Sequence, residues 1–225
     1  MAVLFLAAAG FARLGVWQLS RLHERRAANV AALAARAAAP VPLGPDIRGT
    51  DSLPGRRVTA RGRYDEDRDI VLRGNVLEGA PGVRIVTPLL LAPEGPAVLV
   101  DGGFLPAPDA VTVDLDRITE PGEQTVHGLA LPIGSGRGEP VTHDGRTTWR
   151  QLDLAALGRR LPYAVLPVYV QQTPDSQLPR FPRRIAPAPI DDGPHLSYAI
   201  QWFLFAALAV GFAVLVVGRG AGARR

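Results

Sequence analysis

The chain has 225 residues, no cysteine and no lysine, and its single methionine is the first residue. Without thiols there is no disulfide, no thiolate metal site and no cysteine nucleophile. With neither Cys nor an internal Met there is also no soft donor set for copper. Positive charge is carried by 25 arginines alone, which reads, with the wealth of Ala, Gly and Pro, as a GC-rich coding bias. Acidic residues are absent from 195–225, where three Arg stand, and residues 1–26 hold four Arg against one Glu. Residues 27–194 carry 18 Arg against 20 Asp and Glu. The basic pI of about 10.3 therefore comes from the two ends, and a nucleic-acid-binding reading loses its main support. No nucleotide-binding loop is present. Ser135, in Gly134-Ser135-Gly136, is not a nucleophile elbow and has no triad context. No catalytic constellation emerges, so the chain does not read as an enzyme.

What is there begins at the C-terminal end. Leu196–Val217 is an uncharged run of 22 residues. As a helix it would be roughly 33 Å long, enough to cross the hydrocarbon core of a bilayer. His195 stands at its first turn, with Tyr198, Gln201 and Trp202 just beyond. At the other end, Met1–Leu19 is apolar except for Arg13. A secretory signal would need a positive n-region and a small-residue cleavage site, and neither is evident. A transmembrane helix is the preferred reading, with Trp17 and Arg21 marking its interface and Arg13 obliged to snorkel or pair. Met1 already lies within the apolar run, so a true start upstream of it stays open. Residues 18–39 are rich in strong helix formers, so the first helix is expected to run on as one rod until Pro40, Pro42 and Pro45 stop it.

The middle reads as short strands between Gly and Pro punctuation: Arg57–Tyr64, Asp69–Arg73, Val83–Leu91, Ala97–Phe104, Thr125–Leu131, Thr148–Leu152 and Pro167–Gln172. One short helix, Asp153–Arg160, has Asp153 as its N-cap. Pro106–Gly122 and Gly134–Arg146 read as loops. The expected fold is thus an integral membrane protein. Two transmembrane α-helices, 1–19 (extended to about 39) and 195–217, flank a β-rich, α+β extracytoplasmic domain over 40–194, antiparallel barrel or sandwich-like. Residues 218–225 form a basic tail. Arg219, Arg224 and Arg225 place the C-terminus in the cytoplasm by the positive-inside rule, and two spans return the N-terminus to the same side. Arg21, Arg25 and Arg26 then lie outside, against that rule. The expected location is the cell (inner or plasma) membrane.

Two motifs, one at each end, together resemble the Surfeit locus protein 1 family, assembly factors for haem–copper cytochrome oxidase. Gly15-Val16-Trp17-Gln18-Leu19 followed by Arg21 is similar to the family's Gly-x-Trp-Gln-x-x-Arg signature at the exit of the first helix. His195-Leu196-Ser197-Tyr198-Ala199-Ile200-Gln201-Trp202-Phe203 resembles the entry to its second helix almost letter for letter. Between them Arg57-Val58, the Gly62–Tyr64 strand, Arg73, Val86-Thr87-Pro88-Leu89 and Val98-Leu99-Val100-Asp101 fall in the family's order. So do Trp149-Arg150-x-Leu152-Asp153 and Leu166-Pro167-x-Tyr169-Val170. The resemblance covers roughly residues 10–215. Arg13 departs from it, in a stretch the family usually leaves uncharged. So do Gly103-Phe104-Leu105-Pro106, and Asp191-Asp192-Gly193-Pro194 before the histidine.

The resemblance implies an outward-facing domain between two membrane helices, acting in maturation of the oxidase subunit that carries haem. It further implies haem a as a transient cofactor with His195 as the iron ligand. The expected partners are the catalytic subunit of cytochrome c oxidase, haem a synthase and the lipid bilayer, with no nucleic acid. Tyr198 and Trp202 follow His195 at i+3 and i+7, on one helical face. Trp17 and Arg21 are expected at the same membrane depth, with Arg21 or Arg25 free to pair a propionate. From residue types alone, His195 reads first as an interfacial histidine among belt aromatics, and only the resemblance brings the haem-ligand reading level with it. Gln18 and Gln201 are expected to hydrogen-bond across the helix pair. His23, His127 and His143 have no metal spacing, and Asp65, Glu66, Asp67 and Asp69 read as a solvated acidic turn. Two other functions stay open: a scaffold that stabilises an early oxidase subunit without haem, and a membrane-tethered hydrolase or sensor domain.

Overall fold

The computed structural model describes residues 2–115, 118, 120–136, 138–143 and 146–222. Arg224 and Arg225 of the expected tail lie outside the described residues, as do the side chains of His143 and Arg219. The described helices are α1 (Ala2–Ala37), α2 (Leu154–Arg160) and α3 (His195–Gly222). The described strands are β1 (Val41–Leu43), β2 (Arg57–Tyr64), β3 (Ile70–Leu77), β4 (Ala80–Leu90), β5 (Ala97–Pro106), β6 (Glu123–Pro132), β7 (Val141–His143), β8 (Arg146–Trp149) and β9 (Val165–Gln172). The chain divides into two units: Met1–Ala34 with Pro189–Arg225, and Ala35–Ala188.

In the first unit α1 and α3 pack antiparallel along a seam. On α1 the stripe is Leu4, Ala8, Phe11, Gly15, Gln18 and Leu22, of which Ala8, Gly15, Gln18 and Leu22 are buried. On α3 it is Ala199, Trp202, Ala206, Ala209 and Ala213, with the first and last buried. Both stripes alternate steps of three and four, the spacing that keeps one face of a helix against its neighbour. Phe11 stacks on Trp202 with ring centroids 5.8 Å apart and meets Phe205 at the same distance. Gly15 makes room for the Phe203 ring: a Cβ there would stand 2.8 Å from it, so the ring would have to shift. The remaining faces of both helices expose large apolar side chains, among them Leu6, Val16, Ile200, Leu204, Leu208 and Phe212. Both helices are long and apolar enough to cross a membrane.

In the second unit the strands form one sheet in the order β1-β2-β6-β9-β5-β4-β3-β8-β7, and β2 also pairs with β4. That extra pairing, Arg63 with Leu90 and Tyr64 with Leu89, closes β2, β6, β9, β5 and β4 into a small barrel. Alternate residues point inward: Val58, Ala60, Leu89, Val98, Val100, Val126, Ala130, Leu166, Val168 and Val170 fill the barrel. The lumen is therefore a packed core. On the outer face Ala156 and Leu157 of α2 pack with Leu152, Trp149, Ile70, Leu72, Val86 and Leu99. Asp153 caps α2 through its side chain, which accepts from the Ala156 amide at 2.9 Å.

Of the antiparallel barrel or sandwich expected from sequence, the structure shows a barrel, and it is mixed rather than antiparallel. β1–β2, β3–β8 and β5–β9 are parallel. β9 follows the α2 crossover and returns beside β5 in the same direction, a pairing that local pattern does not encode. Two strands fall where none was expected. β1 contains Pro42 and pairs at the edge, where a missing amide is tolerated, and β7 lies inside the stretch read as a loop. β3 continues past Arg73 because Gly74, at φ +73°, forms a bulge and not a stop: the register shifts between Leu72 and Asn75.

Barrel closure depends on Gly62, where a Cβ would lie 2.1 Å from the Leu90 carbonyl oxygen. Gly62→Ala is expected to destabilise the protein by about 1–3 kcal/mol, read by denaturant unfolding. Gly158→Ala, on α2 with nothing within 4 Å of the new carbon, is expected to stabilise by about 0.5–1 kcal/mol.

Candidate functional site at the helix termini

The two end motifs meet. α3 starts at His195, its first turn closed by the Tyr198 amide and the Ser197 hydroxyl donating to the Pro194 carbonyl at 3.1 and 2.8 Å. His195 Nδ1 lies 2.9 Å from Gln18 Oε1 across the seam. With the Gln18 amide oxygen as acceptor, Nδ1 donates across the seam and Nε2 is the ring nitrogen left for another partner. No hydrogen bond to Nε2 is found among the described residues. A buried glutamine thus fixes the ring of a half-buried histidine through Nδ1.

No hydrogen bond joins the other expected site residues to that imidazole among the described residues. Trp202 is engaged in the aromatic packing with Phe11 and Phe205. Trp17 and Tyr198 are exposed. Arg21 pairs with Glu24 at 2.7 Å. Gln201 is exposed, and Gln18 bonds His195 in place of it. Position 201 lies one residue off the 199, 202, 206 stripe, a rotation of about 100° away from the seam.

Above this pair the Asp191-Asp192-Gly193 turn grips the polar part of α1. Arg26 Nε donates to Asp192 Oδ2 at 2.8 Å. Asn29 donates to the Asp191 carbonyl at 2.8 Å and to Asp192 Oδ1 at 3.0 Å, and Arg25 donates to the Asp191 carbonyl at 3.3 Å. Arg26 is the leading cause that holds the Asp192 carboxyl below its ordinary range. Gly193, at φ +67°, lets the chain turn into α3 beside the imidazole. Sequence reading missed this clamp. Its signal was Asp-Asp before the histidine and Arg-Arg-x-x-Asn on the helix extension.

In the domain the quoted motifs do structural work. Val98 and Val100 face the barrel, Leu99 faces α2, and Asp101 pairs with Arg84 while its Oδ1 accepts from the Gly103 amide at 3.0 Å. Trp149 and Leu152 are core and Asp153 is a cap. Burial pulls the Arg84 guanidinium below its ordinary value, opposed by Tyr169. Arg84, Tyr169 and Arg150 line a recess of about 250 Å³. Arg184, with its side chain 4% exposed, pairs with Glu120 at 2.5 Å and donates to Gln172 Oε1 at 2.9 Å.

The acidic turn is not merely solvated. Asp65 accepts from the Tyr163 hydroxyl at 2.7 Å, Glu66 accepts from the Glu120 amide at 2.6 Å, and Asp69 accepts from Thr87. His127 sits on β6 with Nδ1 3.1 Å from Thr59 Oγ1. Among the described residues no group of three or more His, Asp or Glu is placed to hold a metal ion.

The comparisons with known proteins agree with the end motifs. The SURF1 family model matches residues 5–207. The chain belongs to the SURF1 family. A SURF1-like protein of Rickettsia felis is 27% identical over 213 residues, spanning 91% of this chain and 89% of its own. An uncharacterised SURF1-like protein of Mycobacterium tuberculosis is 28% identical over 209 residues, 88% of this chain and 74% of its own. Surfeit locus protein 1 of Rattus norvegicus is 24% identical over 217 residues, 89% of this chain and 70% of its own. The SURF1 match runs from residue 5 in α1 through the barrel to residue 207 within α3.

Burial raises the Asp69 carboxyl to about 6, helped by the nearby Glu66 and Asp65 and opposed by the Thr87 hydroxyl. The folded chain then holds this proton more tightly than the unfolded chain, whose value is about 3.9. This group's contribution to stability falls as pH rises from about 4 to 6 and stays low above. Asp69→Asn is expected to stabilise the domain at pH 7.5 by on the order of 1 kcal/mol, the gain shrinking toward pH 4, as read by thermal unfolding at both pH values.

Proposed function

We propose that this SURF1-family protein is an integral membrane assembly factor for haem–copper cytochrome c oxidase, and that it holds haem a through His195 on the way to the catalytic subunit. Three features support a membrane reading: two helices of spanning length, outward faces of large apolar side chains, and a seam of small residues that lets the helices approach closely. The extracytoplasmic domain and the cytoplasmic termini follow from the C-terminal arginines. Arg21, Arg25 and Arg26 stand on the other side, against the positive-inside rule.

The observation that carries the haem reading is the 2.9 Å contact between His195 Nδ1 and Gln18 Oε1. An iron ligand needs an imidazole nitrogen open to the metal and a partner that fixes the ring, and the pair supports both. His195 would hold the iron and Gln18 would hold His195. Bound there, haem would supply the redox and oxygen chemistry of the recipient oxidase. The role of this chain is to bind, orient and release it, which makes it an assembly factor and not an enzyme. Arg21 would serve a propionate only by exchanging Glu24 for it. The catalytic oxidase subunit is the expected recipient and haem a synthase the expected donor.

The test is an optical titration of the full chain, purified in detergent after co-expression with haem a synthesis. Wild type is expected to show a haem spectrum that His195→Ala abolishes without loss of helical content. Gln18→Leu is expected to weaken binding about 10–100-fold while keeping the spectrum. Absence of haem from wild type would favour the scaffold that stabilises an early oxidase subunit and returns His195 to an interfacial role.

A further inference from the structure

The apolar part of α1 carries one charge, Arg13, that no described residue answers. Arg13 is exposed and has no hydrogen-bond or ion-pair partner among the described residues. Residues 1–23 and 193–225 contain no Asp or Glu, so neither helix can supply a carboxylate at that depth. Within a bilayer an unpaired arginine is costly and is normally paired. Snorkelling is a poor escape here. Trp17 marks the nearer boundary, one turn toward the C-terminus, while helical side chains lean toward the N-terminus.

Arg13 also borders a built surface. With Ala7, Gly10, Phe11, Leu14 and Trp17 it lines an apolar groove of about 640 Å³ on α1. Gly10 forms an open notch, with nothing within 4 Å of where a Cβ would stand. Ala7, Gly10, Leu14 and Trp17 recur at the spacing of a single helical face. That face lies beside the seam to α3, whose α1 side is the Ala8, Gly15, Gln18 and Leu22 stripe. A second copy of this chain is a poor occupant. A symmetric contact through this face would bring two Arg13 guanidinium groups together in an apolar medium.

We propose that the Ala7–Trp17 face of α1 docks a transmembrane helix of a different protein, one that carries an Asp or Glu at the depth of Arg13. The inference rests on the membrane reading above and is independent of haem. The groove supplies the apolar packing, the Gly10 notch admits a close approach, and the ion pair sets depth and partner choice.

The test places p-benzoylphenylalanine at Leu14 in the full chain, irradiates native membranes and identifies the adduct by mass spectrometry. The expected adduct is a membrane segment containing a carboxylate. Arg13→Leu should lower its yield roughly tenfold and Arg13→Lys should largely preserve it. Arg13→Asp should recover the adduct only when the partner's carboxylate is exchanged for Arg, an outcome that misfolding would not produce. Adducts confined to lipid or to a second copy, or a yield indifferent to Arg13→Leu, would overturn the proposal. Alkaline carbonate extraction separates the two readings. A chain released by carbonate has lost the membrane reading as well, whereas one that stays embedded with lipid adducts alone overturns the docking proposal and nothing else.

Discussion

The antiparallel seam between α1 and α3 is the constraint on which the candidate site depends. Gln18 and His195 are 177 residues apart in sequence, and a 2.9 Å contact between them requires two helices to agree in depth and rotation. Small residues make that agreement possible. Gly15 admits the Phe203 ring, and Ala8, Ala199 and Ala213 leave the backbones room to approach. Phe11, Trp202 and Phe205 then lock the rotation through ring contacts. The Asp191-Asp192 turn adds a polar clamp to Arg26 and Asn29 where the apolar packing ends. Packing sets the coarse register and hydrogen bonding fixes the last ångström, a division expected when apolar contacts are non-directional and hydrogen bonds are not.

The domain solves a different problem. A five-stranded barrel has little interior, so Val, Ala and Leu fill it and no ligand cavity is left inside. Polar groups outside the lumen are placed in pairs: Asp101 with Arg84, Glu120 with Arg184, Asp65 with Tyr163. Such pairs add little net stability once desolvation is counted, yet breaking one is expensive. They hold irregular segments, among them the 179–184 stretch that Arg184 ties back through the Pro179 and Pro182 carbonyls. The domain motifs that carry the family resemblance are thus accounted for by packing and capping. The helix-end motifs are not exhausted by packing, because His195 Nε2 has no hydrogen-bond partner among the described residues.

Legibility from sequence varied with the range of the signal. β2, β5, β6 and β9 stand close to where alternating β-branched residues placed them, and Asp153 caps α2 as its position implied. These depend on neighbours a few residues apart. β1 and β7 have three residues each, too few for a period to register. Gly74 looked like a terminator and is a bulge, since the same left-handed freedom serves both. The acidic turn looked solvated because its partners, Tyr163, Thr87 and the Glu120 amide, come from distant segments. Both His195 and Gln18 stood out as motif residues, but Gln18 was matched with Gln201 and not with His195. The error is a single residue of helical rotation, about 100°, which hydropathy does not resolve when every face of a helix is apolar.

What the sequence determined by itself is what composition and short-range pattern encode: two apolar helices of membrane-spanning length, a β-rich segment between them, a capped short helix, and the two motifs that mark the helix ends. Only the tertiary structure decided that the sheet mixes parallel with antiparallel pairs, that β2 and β4 close it into a barrel, and that Gln18 meets His195. The reason is physical. Secondary-structure preference is summed over adjacent residues, whereas strand partners, helix rotation and hydrogen-bond mates are selected by packing among segments far apart in the chain, and one residue's shift in either stripe would turn a different side chain toward the imidazole.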